Sequence, residues 1–267
     1  MPISFDNPMI PTPGGTFLRA VGNRRVQAVV EPFQIQKFVV PNGVIEDHFT
    51  RYQPTPFALF AVSPKGQRSV VAWGSNQDLT SMIVGRETPI EPESRLEIHQ
   101  VVPKPEERKI PPNYVGDKKP ATCLTWYEKV FFAQVQGWDL PSAVQREWVA
   151  RAGEHGFEFG TSTGDLLLDG AMKLAYLDVN GPADVDDPRC PPNPFGVHLL
   201  VANVWETTRE MTHEGLILVS GGCWRFLIRD FFRAAYFRDN ITGARDNDVG
   251  FRCVINRNTF DKPTANA

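Results

Sequence analysis

The sequence predicts a loop-rich α+β protein of short strands and two main helices, and three observations carry that prediction. Its 23 prolines and 21 glycines are spread along 267 residues, which favours many short elements over long helices. Several runs rich in β-branched and aromatic residues are bounded by Gly or Pro, as strands are. Two segments open on a capping box and close on glycine, as helices do.

In chain order, GTFLRAVG (residues 15–22) and VQAVVEPFQIQKFVV (26–40) read as extended segments. IEDHFTRY (45–52) reads as a short helix, and PFALFAVS (56–63) with SVVAWGS (69–75) as a hairpin. From Thr88 to Lys119 the text is rich in proline and charge and reads as a long surface loop. TWYEKVFFAQVQG then has Thr125 as N-cap, Glu128 three residues on and Gly137 as its stop. SAVQREWVARAG repeats the design with Ser142, Gln145 and Gly153, and places Val144, Trp148 and Ala152 on one face. Trp126 and Trp148 are expected in the core. A Gly-, Asp- and Pro-rich stretch runs from Gly153 to Pro194. FGVHLLVANVWETT follows as loop, turn and strand, GLILVSGGCW as a strand ending in a Gly-Gly turn, and DVGFRCVIN as a final strand.

Composition excludes several classes. Apolar residues make up 42% and charged residues 22%, an ordinary globular balance, and the net charge of −3 offers no footprint for nucleic acid or anionic lipid. No apolar run has the length of a membrane span. The opening MPISFDNPMIPTPGG lacks a basic region followed by an apolar one, so no secretion signal is expected. Cytoplasm and virus particle both stay open as locations. Cys123, Cys190, Cys223 and Cys253 form no CxxC pair and are expected as free thiols.

Five pieces, in order, resemble the formylglycine-generating enzyme (sulfatase-modifying factor) family. They are GGTFLRAVG with VVEPFQIQKFVV; PATCLTWYEKVFFAQ; DLPSAVQREWVARAG; NPFGVHLLVANVWETT; and SGGCW, RAAY, Arg245 and VGFRCV taken together. The resemblance implies a C-type-lectin-like α+β fold. It also implies one domain over residues 1–267, with residues 88–119 as an insertion.

The family's chemistry is not kept at the positions that matter. Its enzymes oxidise a substrate cysteine with copper held by two cysteines, and alignment on Gly221 and Gly222 puts Phe226 and Phe231 there. A phenyl ring offers Cu(I) no soft ligand. Cys223 sits three residues too early. No catalytic residue and no enzyme activity are therefore expected, with an oxidase-like enzyme using other metal ligands as the alternative. The family's calcium site would use the position of Leu199, carbonyls near Ala202 and Val204, and the carboxylate of Glu206. Leu199 supplies no oxygen, and Glu206 reads equally as a Ca²⁺ ligand and as a structural carboxylate. No other cofactor is expected. His48, His99, His155, His198 and His213 show no metal spacing, and the acidic run from Asp184 to Asp187 reads as solvated.

The chain also resembles the variable proteins of diversity-generating retroelements, which use the same fold for binding. There an error-prone reverse transcriptase alters adenines, mostly in Asn codons that end in a pyrimidine. Such codons yield Phe, Leu, Ile, Arg, Asp, Tyr, Cys or Gly, but never Lys, Glu, Gln, Met or Trp. From Gly221 to Phe260 this sequence has no Lys, Glu, Gln or Met, and its single Trp there is Trp224, whose codon contains no adenine. The resemblance implies a variable region over residues 221–258. Its expected ligand-facing positions are Cys223, Arg225, Phe226, Leu227, Ile228, Asp230, Phe231, Phe232, Phe237, Asp239, Asn240 and Ile241. Trp224, Arg233, Ala235, Arg245, Asp248, Gly250 and Arg252 are the expected framework. The expected function is ligand binding by a monomer, with a protein as the partner.

Overall fold

The computed structural model describes residues 5–21, 24–52, 56–64, 68–74, 83–84, 92–104, 106–166, 181–212, 215–226 and 228–256. Among these residues three α-helices form where the sequence carries their signals. Helix α1 (Asn42–Arg51) takes in the predicted short helix and starts earlier, behind Pro41. At α2 (Trp126–Val135) the Thr125 hydroxyl accepts from the Glu128 N–H at 3.3 Å, and the Glu128 carboxylate accepts from the Thr125 N–H at 2.8 Å. At α3 (Ala143–Ala150) Ser142 and Gln145 repeat the exchange at 3.0 and 2.9 Å. Each box satisfies two N–H groups that a helix start leaves without partners, and each cap is worth about 1 kcal/mol. After α2 the chain turns at Gly137, whose φ is +79°; after α3 it turns at Ala152 and the expected Gly153, with φ of +52° and +64°.

Among the described residues the strands are short and fall into four sheets. Strands β1 (Met9–Thr12), β4 (Phe33–Gln36) and β13 (Val254–Asn256) form one, in the order β1-β4-β13. The hairpin of β2 (Gly15–Val21) and β3 (Arg24–Val30) is a second. A third holds β5 (Phe57–Val62), β6 (Arg68–Gly74), β7 (Ile83–Val84) and β8 (Arg95–Gln100), in the order β7-β6-β5-β8. The predicted hairpin is its β5–β6 pair. The fourth, β11-β10-β9-β12, contains β9 (Trp205–Met211), β10 (Leu216–Ser220), β11 (Phe237–Ile241) and β12 (Val249–Gly250).

Two sequence expectations are corrected here. The stretch from Thr88 to Lys119 is not all surface loop, because β8 pairs antiparallel with β5 from Phe57↔Gln100 to Val62↔Arg95, and Val101, Val102 and Tyr114 are buried. RLEIHQ alternates apolar and polar residues, a strand pattern that the flanking prolines masked. DVGFRCVIN is not one strand either. Its start pairs with β9 as β12 and its end with β4 as β13, while Phe251, Arg252 and Cys253 between them are buried.

The largest core cluster among the described residues joins α1 (Ile45, Phe49), α2 (Trp126, Phe131, Phe132), the third sheet (Phe60, Val70) and the fourth (Trp205, Val219), with Phe251 beside them. Trp148 anchors another with Phe33, Ile35 and Leu200. Both tryptophans of the helices are therefore core residues, and each indole N–H reaches a backbone carbonyl, Thr208 for Trp126 and Pro13 for Trp148. Strand β10 enters the Gly-Gly turn and β11 returns beside it, with Ser220 opposite Phe237. The residues between them are thus an excursion whose two ends are pinned to each other.

Candidate functional site

Buried polar contacts fix the frame of this excursion. Gly221 and Gly222 have φ of +97° and +73°, and a Cβ on Gly222 would collide with the Phe232 ring. The Trp224 indole donates to the Tyr114 hydroxyl at 2.6 Å, and the rings meet edge to face. Burial pushes the Tyr114 phenol up to about 12, against the opposing pull of that hydrogen bond. Arg245 forks onto both carboxylate oxygens of Glu128, each at 2.7 Å, tying the C-terminal loop to the first turn of α2. Arg252 is wholly buried. It donates to both oxygens of Glu206 at 2.6 and 2.9 Å and to the carbonyls of Gln36, Lys37 and His198. Lys129, also buried, donates to Thr207 at 3.0 Å, and burial lowers its pKa to about 8 while Asp246 pulls it up.

On this frame the predicted contact positions divide. Phe226 is 39% exposed, Ile228 50% and Ile241 63%, and Arg225, Asp230 and Asp239 are exposed beside them. Phe231, Phe237 and Asn240 are half-buried: Phe231 leans on Trp205 and Tyr236, Arg19 lies over the Phe237 ring, and Asn240 donates to Asp246. Leu227 lies outside the described residues.

Cys223 and Phe232 are corrected from contact to interior positions, at 0% and 1% exposure. The Cys223 thiol points at the Asp248 carboxylate at 3.5 Å, and burial, reinforced by the Asp248 charge, raises its pKa to about 12. Phe232 packs with Phe159, Leu166 and Leu199 because the Gly-Gly turn leaves a slot of its size. Among the expected framework residues, Asp248, Gly250 and Arg252 are buried, whereas Ala235 is exposed and Ala234 takes the interior place. Arg233 is held by its backbone, which bridges to Phe159, and by Glu158 at 3.2 Å and Asp230 at 2.9 Å.

Several residues that support or flank this surface were not foreseen. Arg229 lies 4.5 Å over the Phe159 ring, and Glu158 sits below both Arg229 and Arg233. Tyr114, Glu158 and Phe159 come from distant loops, and local sequence patterns carry no signal for such contacts. Arg229 belongs to the same Arg-rich run as its neighbours and was legible there.

The metal expectations meet a direct test of donors. Positions 226 and 231, which the resemblance assigns to the copper thiols, do come together, but as phenyl rings 6.2 Å apart in an edge-to-face pair. Neither ring offers a donor atom, so copper does not fit here. Of the two readings of Glu206, the geometry matches the structural carboxylate: it is buried between Arg146, at 3.2 Å to each oxygen, and Arg252. A cation there would face two guanidinium groups. Among the described residues, no three His, Cys, Asp or Glu side chains converge as a metal site.

The fold is found in solved structures of low identity. PvdO from Pseudomonas aeruginosa superposes with a TM-score of 0.60 at 18% identity, over 92% of this chain and 93% of that one. Treponema denticola variable protein 1 gives 0.60 at 13% identity, over 96% and 97%. CarF gives 0.59 at 15%, over 94% and 98%. In sequence, 168 residues are 26% identical to the serine/threonine-protein kinase pkn1 of Chlamydia pneumoniae; they are 56% of this chain and 26% of the kinase, so the chain spans about a quarter of that protein. The family described as the sulfatase-modifying factor enzyme 1-like domain matches residues 5–257. A match that takes in both capped helices, the Gly-Gly turn and the buried arginine of the last strands leaves one conclusion, that the chain belongs to this family.

Proposed function

We propose that the protein is a ligand-binding variable protein of a diversity-generating retroelement, presenting residues 221–258 to a protein partner. The observation that carries this reading is the exposure of Phe226 and Ile228 on the excursion and of Ile241 at the end of β11, beside a frame held by partly buried polar contacts. Large apolar side chains left in water on a rigid base are what a binding surface needs, because little conformational entropy is lost when the partner arrives. The absence of Lys, Glu, Gln and Met from residues 221–260 supports the same reading, since diversification through Asn codons cannot produce them. The fold shared with a solved variable protein is compatible with it. In this reading the domain binds its partner as a monomer and needs no metal to do so.

The locus tests the proposal. A second copy of the coding segment after Ser220, differing at adenines and lying beside a reverse transcriptase gene, is the expected result. A locus with neither feature overturns it. The competing oxidase reading predicts stoichiometric copper or iron in the purified protein and oxygen consumption with a cysteine-containing peptide.

A further inference from the structure

The exposed apolar pair is bracketed by guanidinium groups backed by aromatic rings. Arg225 lies 5.5 Å over Trp224 and hydrogen-bonds to the neutral amide of Asn247 at 2.8 Å. Among the described residues no carboxylate contacts it. Arg229 lies 4.5 Å over Phe159, and its carboxylate, Glu158, is 3.6 Å away and already shared with Arg233. Phe226 and Ile228 fall between these two arginines in the chain. Among the described residues, the carboxylates that Arg225, Arg229 and Arg233 meet are Glu158 and Asp230, which leaves a local positive excess on a chain whose net charge is −3.

A guanidinium resting on a ring loses little freedom when it binds, and an N–H edge whose present partner is a neutral amide or a shared carboxylate can turn to an incoming carboxylate in two-pronged fashion. We propose that the partner surface presents carboxylates beside an exposed apolar or aromatic side chain, the apolar group meeting Phe226 and Ile228 and the carboxylates meeting Arg225 and Arg229. This rests on the binding reading above. Charge complementarity of this kind sets specificity and encounter rate more than total affinity.

The test is selection of a random-peptide phage library on the full-length chain, with the recovered peptides synthesised and their affinities measured at low and high salt. Peptides that carry Asp or Glu next to Phe, Trp or Leu are expected, with binding that weakens as salt rises. R225Q/R229Q, whose folding is checked by its thermal melt, is expected to bind them about tenfold more weakly. Recovery of neutral or basic peptides, or equal binding by R225Q/R229Q, overturns this inference and leaves the binding reading standing. A library that gives no binder dependent on Phe226 or Ile228 sinks both.

Discussion

Phe226 and Phe232 are the same side chain on the same short excursion, and they do opposite things. Phe232 fills the slot beside the Gly-Gly turn, so Phe232→Ala removes a fully packed ring and is expected to destabilise the fold by about 3–5 kcal/mol. Phe226 meets the Phe231 ring edge to face and is 39% exposed, so Phe226→Ala should cost far less than Phe232→Ala, about 1 kcal/mol or below. Urea denaturation of the two variants against the parent decides the matter, and equal losses would refute the assignment of Phe226 to the surface. Glu206 gives a second contrast at this scale. It neutralises Arg146 and Arg252 in the interior, and Glu206→Gln leaves two buried guanidinium groups facing a neutral amide. Breaking such a cluster typically costs about 3–5 kcal/mol, so the variant is expected to unfold at markedly lower urea. A near-neutral effect would mean that water reaches the two arginines.

Helix α1 makes a prediction of its own through His48. The ring lies against Tyr52, Phe131 and Phe132, its Nε2 has no hydrogen-bond partner among the described residues, and burial, helped by the nearby Arg51, lowers its pKa from 6.5 to about 4, with Asp47 pulling the other way. The unfolded chain therefore takes up a proton near pH 6.5 that the folded chain resists down to about pH 4. Stability from this group is fully present above pH 6.5 and is lost as pH falls through that window, by something on the order of 3 kcal/mol. His48→Leu should flatten the fall between those limits, as read by urea midpoints at a series of pH values; an unchanged slope would assign acid sensitivity elsewhere. How legible an element was in the sequence follows from where its signal sits. The caps of α2 and α3 are local, four-residue exchanges between side chain and backbone, and they were readable. Strand β8 was hidden because its pattern is only a few residues long between prolines, and its partner β5 lies far away in sequence. Inside the excursion no regular period exists, so the inward turn of Cys223 and Phe232 could not be separated from the outward turn of Phe226 and Ile228. The pairing of Glu206 with Arg146 was equally out of reach, since long-range ion pairs leave no mark on either residue's neighbours.

At the scale of the molecule, the frame and the contact positions draw on different contacts. Arg245 on Glu128, Arg252 on Glu206 and Trp224 on Tyr114 join the C-terminal region to α2, β9 and a distant loop. None of these contacts uses the side chains of Phe226, Ile228, Asp230, Asp239 or Ile241. Replacing those five residues together should therefore leave the fold intact, since exposed substitutions away from packed features are individually small and add when they share no partners. Their summed effect is expected to stay within about 2 kcal/mol, which for a chain of this size moves the melting temperature by only a few degrees. Asp230 is the one member with a charged neighbour, Arg233 at 2.9 Å, but that pair is solvent-exposed and adds little. The measurement is a thermal melt followed by circular dichroism, with peptide binding as the second readout. A cooperative melt near that of the parent, combined with loss of binding to parent-selected peptides, is the outcome that a fixed scaffold with interchangeable contacts requires. Loss of cooperative melting would show that the exposed side chains hold the excursion together, and the division into frame and contact would fall.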